Sequence, residues 1–381
     1  MMQKLDDALE IPLFASASLW KDDVEQVASR LDWPQESKTD MDSSFRRYAL
    51  EGGAPVLGAK AYSMALYGRK GHPSYVSIVF ANKGDFKGTA DELNAAVKKD
   101  AGLITAQITT LLGPPETHVF GPTANSRVTV HRWNWNGHAI LLSSPKNEYA
   151  AVKILPTDVA DHFGNVDNLD RDALRDMLAT RVLKRDNGDV VIQQIPMVDQ
   201  GPKGYCVPAT WERYLRYVDV PADMYVLAML GNTAAGGGTN PGAIRDGLND
   251  YVESYGRRIE DADSRLEMFN VTKFIDKGLP LMWCCFIEKP VEKSIEQHTA
   301  ERKTTTDWTG YKASLDAGDK TMSFADPDRM NNGHMRMIIG YNKTTNELAI
   351  SDSWGPHFTE RWISLKEAQG TSQEILEYIR W

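Results

Sequence analysis

The chain has 381 residues, of which 42% are hydrophobic and 25% charged, with a formal net charge of −9. That length suggests two domains, and the composition is globular, with a sizeable core, rather than disordered. The acidic balance argues against nucleic acid as a main partner, because phosphate binding needs a basic face, and mildly against an anionic membrane surface.

No apolar run approaches the roughly 18 residues that suggest a membrane span. The longest candidate, Gly278 to Phe286, is strand-sized and interrupted by Pro280. The acidic start MMQKLDDALEIPLF lacks an apolar signal core. Two settings stay open: cytoplasmic, or secreted or periplasmic with a signal peptide cut away and the doubled Met an added start. The three cysteines, Cys206, Cys284 and Cys285, are too few for a disulfide-stapled domain. Cys284 and Cys285 sit in the apolar run LMWCCF and read as buried strand residues.

In chain order, residues 19 to 33 have helical spacing, with Leu19, Val24, Val27 and Leu31 on one face. Arg46 to Leu50, Ala61 to Tyr67 and Tyr75 to Asn82 read as strands between Gly- and Pro-rich breaks. Residues 90 to 112 predict a long amphipathic helix stopped by Gly113-Pro114-Pro115. VTVHRWNW and HAILLSS flank Asn136-Gly137, a strong hairpin signal. Residues 1–155 therefore read as an α+β domain of their own, of unknown role. Trp133 and Trp135 share one face of its hairpin, read as core or as a docking surface. His131 and His138 flank the hairpin turn, but no Cys or carboxylate cluster completes a metal site.

Residues 156–189 read as a connector with a helix near Arg171 to Leu183. From 190 to 381 the pattern changes. An extended segment, VVIQQIPMVDQG, leads to a helix beginning at or beside Cys206, CVPATWERYLRYV. Helices AIRDGLNDYVESYG and TKFIDKG follow, then the strand LPLMWCCFI. Residues 288 to 330 are polar and poor in pattern; Asp326, Asp328 and Asn331 there lack the rest of a calcium loop and read as a polar turn. Strands His334 to Tyr341 and Glu347 to Asp352 are joined by the turn Asn342 to Asn346, and FTERWISL and EILEYIRW read as a strand and an edge element.

The chemistry centres on Cys206. A thiol becomes a good nucleophile once it ionises, and a helix N-terminus or a nearby imidazolium promotes that. Pro208 suits a first helical turn, and the helix buries Trp211, Tyr214, Leu215 and Val218. Among eight His residues His334 is best placed as a base, opening the apolar strand MRMIIGY. Asp352 closes the next strand, where a hairpin can bring it back to His334 and fix the imidazole tautomer.

With those residues in view, VDQGPKGYCVPAT resembles the nucleophile segment of the papain superfamily, in which a Gln lies six positions before the Cys, as Gln200 does here. GHMRMIIGYN resembles the papain-like His strand, ended by a Gly six residues on, and DSWG at Asp352 to Gly355 resembles its N-S-W-G with Asp for Asn. His334 and Asp352 follow Cys206 by 128 and 146 residues, close to the papain spacing of roughly 130–150. The segment is most similar to the bacteriocin-processing (double-glycine leader) peptidase-like proteins, through CVPAT, GLPLMW and GHMRMIIGY, and that subgroup also uses Asp. The resemblance spans about residues 190 to 365 and does not extend to residues 1 to 150. It departs at Lys203, where lysosomal-type enzymes carry a disulfide Cys, and at Val207, where the subgroup has Gly.

The resemblance implies an α+β papain-like domain, with a helical part carrying the Cys and an antiparallel β part carrying the His and Asp. It implies a triad of Cys206, His334 and Asp352, with Gln200 donating to the oxyanion. It further implies substrate contacts from Gly236 and Gly237 and shielding of the His–Asp pair by Trp354. The expected activity is thiol-dependent hydrolysis of a peptide or protein substrate through an acyl-enzyme, without metal or other cofactor. The N-terminal domain would recognise substrate or pack on the catalytic cleft. Alternatives are a cell-wall peptide amidase, a transglutaminase-type acyl transferase, or an inactive papain-like binding module.

Overall fold

A computed structural model of the chain describes residues 1–381 apart from 17, 49–52, 236, 264 and 325–330. Leu50, Gly236, Asp326 and Asp328 lie outside the described residues. The fold is mixed α/β, with twelve α-helices and two antiparallel sheets among the described residues. It divides into two compact units. The first comprises residues 1–167, 201–205 and 225–251, and the second 168–200, 206–224 and 252–381. Two short stretches between the candidate catalytic residues thus belong with the N-terminal chain, an arrangement that reading in chain order does not suggest.

The first unit holds helices α1 (Met2–Leu9), α2 (Val24–Leu31), α3 (Ala90–Leu112) and α4 (Thr157–Asp161). Its strands are β1 (Gln35–Lys38), β2 (Asp42–Tyr48), β3 (Ser63–Arg69), β4 (His72–Asn82), β5 (Glu116–Phe120), β6 (Val128–Trp135), β7 (His138–Ser143) and β8 (Tyr149–Pro156). They form one sheet in the order β1-β2-β3-β4-β8-β7-β6-β5. Side-chain alternation on β7 feeds two cores: Ile140 and Leu142 join the larger, Ala139 and Leu141 the smaller. Helix α3 presents Leu93, Val97, Ile104 and Ile108 to the larger core. Thr89 and Glu92 form its capping box, and Gly113 ends it. Trp133 is buried in that core, and its indole donates to Gly113 O at 3.0 Å. His138 is buried among the rings of Phe14, Trp20 and Trp135, which accounts for it without a metal. The expected helix 19–33 is broken into a 3₁₀ turn (Leu19–Lys21) and α2, because Asp23 caps α2 by accepting from Gln26 N–H.

The second unit contributes α5 (Arg171–Thr180), β9 (Val182–Lys184), β10 (Asp189–Ile192) and α6 (Cys206–Tyr217). Helices α7 (Met224–Leu230) and α8 (Pro241–Ser254) lie mostly in the first. The second unit continues with β11 (Arg258–Asp261), α9 (Met268–Ile275), β12 (Leu281–Phe286), α10 (Lys289–Arg302) and α11 (Trp308–Thr321). It ends with β13 (Gly333–Asn342), β14 (Glu347–Ser351), β15 (Arg361–Ser364), α12 (Leu365–Thr371) and β16 (Ser372–Arg380).

Strand β13 organises this sheet. Ile338 is flanked by Leu281 and Ile350, and Gly340 by Val191 and Ala349. One edge of β13 therefore pairs with β12 and then β10, while the other pairs with β14. Gly340 sits at the changeover, inside the strand rather than at its end. A Cβ there would come within 2.5 Å of Val190 O, so the position needs glycine for space. β14 pairs with β13 only from Met337 onward.

Three expectations are corrected here. Residues 288–330 contain two 14-residue helices, α10 and α11. Their apolar stripes are thin, Val291 and Ile295 on one and Tyr311 and Leu315 on the other. Much of the anchoring comes from Arg302, buried against Asp189, Glu347 and the Trp362 ring (3.7 Å from its centroid). The C-terminal strand β16 lies between β11 and β12 rather than at an edge. Helix α5 stops at Thr180, and Val182–Lys184 pairs with β10 as β9.

Candidate active site

Cys206 is the first residue of α6, so its thiol lies at the positive end of that helix. Every later residue of α6 is buried, which fixes the helix against the sheet. Thr210 Oγ1, one turn on, donates to Met335 O at 3.2 Å, and Arg213 Nε donates to Pro196 O at 2.9 Å. The same guanidinium donates to the Ser351 hydroxyl. Two buried polar side chains thus lock the Cys helix to β13 and to the end of β14.

His334 is the second residue of β13, opposite Cys285 on β12. Since β14 does not cover the start of β13, the chain leaving β14 at Ser351 can turn Asp352 onto the imidazole. His334 Nε2 lies 2.9 Å from Asp352 Oδ1. The Cys206 thiol also hydrogen-bonds His334, which with Nε2 engaged leaves Nδ1 for the sulfur. Trp354 stacks on the imidazole, with centroids 4.7 Å apart and planes 29° apart.

The electrostatics of the three groups agree. Burial works against a Cys206 thiolate, but the hydrogen bond and charge of His334, with backbone donors Met335 and Val207, outweigh it and hold the thiol below its ordinary range. Burial disfavours the imidazolium too, yet Asp352 and Cys206 raise His334 overall. Burial alone would raise Asp352, but Arg336, His334 and Arg361 hold its carboxyl well below the usual range. Cys284 and Cys285 are buried and behave oppositely: burial pushes Cys285 up to about 12 and Cys284 higher still. Cys206 is partly exposed.

Gln200 is buried, and its backbone N–H donates to Ser353 O at 2.9 Å, tying the chain before the nucleophile to the segment after Asp352. Gly237 lies in the first unit, bridged to Gly204; a Cβ on it would fall 2.3 Å from Gly204 Cα, a packing reason for glycine there. Lys203 also belongs to the first unit. Its ammonium sits 4.8–5.4 Å from the ring centroids of Tyr62, Tyr48, Tyr225 and Tyr205. A caged lysine thus holds the loop at the position of the disulfide cysteine of lysosomal-type enzymes.

The sequence reading missed the charges behind the triad. Arg361 Nη1 donates to Asp352 Oδ2 at 2.8 Å, and Arg336 Nε lies 3.0 Å from Oδ1. Glu292 accepts from both guanidiniums, from Arg336 Nη2 at 2.8 Å and Arg361 Nη2 at 2.9 Å. Arg336 had a signal: it lies two residues after His334 on an apolar strand, hence on the same face. Glu292 on α10 and Arg361 on β15 had none, since long-range pairing brings them together.

Among the described residues no group of three or more His, Cys, Asp or Glu is placed to hold a metal ion. No helix is long and apolar enough to cross a membrane. No curated protein matches the chain. Residues 192–379 match the model of the Peptidase_C39 like family, which supports a papain-like, cysteine-peptidase type for this C-terminal part of the chain.

Proposed function

We propose that the chain hydrolyses a peptide or amide bond through a thioester on Cys206, with His334 as acid–base, Asp352 as its orienting acceptor and Gln200 as an oxyanion donor. The observation that carries this reading is the chain of contacts from the thiol at the N-terminus of α6 through His334 to Asp352. In this scheme residues 190–381 supply the papain-like peptidase segment of the double-glycine leader type, and residues 1–155 recognise substrate.

The thiolate attacks the substrate carbonyl carbon, and the negative charge moves to the carbonyl oxygen. The Cys206 backbone N–H and the Gln200 side chain stabilise that oxygen. The C–N bond breaks as His334 gives its Nδ1 proton to the leaving amine. Water then adds to the thioester, losing a proton to His334; the C–S bond breaks, freeing the acid and restoring the thiolate–imidazolium pair. Asp352 on Nε2 keeps the imidazole oriented throughout.

The test uses the full chain, because residues 201–205 and 225–251 belong with residues 1–167. Peptide, protein and muropeptide mixtures are incubated in ¹⁸O-water with the protein or its Cys206→Ala variant, and new carboxyl termini are read by mass spectrometry. The proposal expects Cys206-dependent ¹⁸O incorporation. Incorporation that survives Cys206→Ala, or amine transfer without hydrolysis, would overturn it.

A further inference from the structure

We infer that Arg336, Arg361 and Glu292 form a charge-balancing clamp that positions Asp352 and tunes the Cys206–His334 pair. The inference rests on reading that pair as thiolate and imidazolium. Each Asp352 oxygen meets a guanidinium, Oδ1 that of Arg336 at 3.0 Å and Oδ2 that of Arg361 at 2.8 Å. Glu292 bridges the far ends of both. Asp352 is fully buried and the arginine side chains are 2% and 5% exposed, whereas Glu292 retains 18% and is the member that water reaches. Both guanidinium carbons lie 5.8 Å from the ring centroid of Trp354, which itself stacks on His334. The clamp therefore stands directly behind the imidazole.

Within the clamp and the Cys206–His334 pair the charges sum to zero. Two arginines balance Asp352 and Glu292, and imidazolium balances thiolate. A carboxylate that two guanidiniums already neutralise supplies His334 with orientation more than countercharge. Glu292 then matters at a distance, since without it the clamp carries a net positive charge beside the imidazole. The other titratable groups acting there are Arg213 from α6, which faces Asp352, and Cys284 and Cys285 from β12, which face Cys206. Arg213 stays cationic and both cysteines stay protonated near neutral pH, so none of them masks the effect.

The signs follow from charge alone. Removing the Glu292 charge disfavours imidazolium and favours thiolate, moving both titrations to lower pH; removing the Arg361 charge moves both to higher pH. A unit charge roughly 8–10 Å away at an effective permittivity of about 20 moves a titration by about one pH unit.

The experiment measures the pH dependence of iodoacetamide alkylation at Cys206 in the full chain. The variants are Glu292→Gln, Arg361→Gln and Arg361→Lys. The expected result is a downward shift of the midpoints for Glu292→Gln, an upward shift for Arg361→Gln, and midpoints near wild type for Arg361→Lys, which keeps the charge. If Arg361→Gln does not fold, the Glu292→Gln and Arg361→Lys contrast still decides. Midpoints that stay fixed in Glu292→Gln, or that follow side-chain size rather than charge, overturn the inference. A wild-type protein without a low-pH limb overturns the functional reading and this inference with it.

Discussion

Replacing Asp352 with Asn imports the residue that papain-like enzymes carry in N-S-W-G, and here it is expected to be costly. The native carboxylate accepts from Arg361 Nη1 at 2.8 Å, contacts His334 Nε2 at 2.9 Å, and faces Arg336 Nε at 3.0 Å. An amide offers one acceptor oxygen and turns an N–H₂ toward one of these donors. Removing one partner of a buried ion pair costs about 3–5 kcal/mol. Glu292 still holds both guanidiniums, so the lower end, about 3 kcal/mol, is expected. For a unit of this size that lowers the unfolding midpoint by roughly 6–12 °C.

The pH dependence sharpens the test. Asp352 is depressed in the folded state, so its contribution is fully present above the unfolded aspartate value of about 3.9 and is lost as the pH falls through the folded value. Calorimetry of wild type and Asp352→Asn from pH 8 to pH 3 should therefore show a constant gap down to about pH 5, narrowing below about pH 4. A variant within about 1 °C of wild type at pH 7, or a gap that widens in acid, would refute the reasoning.

Other outcomes follow from the same geometry. At pH 7 iodoacetamide should label Cys206 at least about 100-fold faster than Cys284 or Cys285, whose burial keeps them protonated; peptide mapping of a time course reads this directly. Lys203→Ala removes the ammonium from its four-tyrosine cage and should destabilise the first unit by roughly 2 kcal/mol or more, seen as a lower first-unit transition in thermal unfolding. Gly340→Ala drives a Cβ toward Val190 O and should cost about 1–3 kcal/mol in urea unfolding, because neither strand can move away freely.

What the sequence made legible was local. Asn136 and Gly137 both have positive φ (47° and 78°), the geometry their residue types favour, and they join β6 to β7. Thr89 and Gly113 bound α3, and Cys206 opens α6. The spacing of His334 and Asp352 placed them at the ends of neighbouring strands that the structure pairs. What stayed hidden depends on distant partners. Helix α10 carries two buried aliphatic residues, and its position depends on Arg302 and Glu292 meeting strands far along the chain. The interior place of β16 is a matter of sheet order, which the pattern of EILEYIRW does not encode. Lys203 looked like a lost disulfide half, because its four tyrosines are scattered between residues 48 and 225.

The central claim, that Cys206 and His334 form a thiolate–imidazolium pair, is tested most directly by the pH dependence of Cys206 alkylation in wild type and His334→Ala. The account predicts rapid alkylation of the wild type well below the pH range of an ordinary thiol, and loss of that low-pH limb in His334→Ala, whose rate rises only near pH 8.5. A wild-type Cys206 that already behaves as an ordinary thiol, or a low-pH limb that survives His334→Ala, would contradict it.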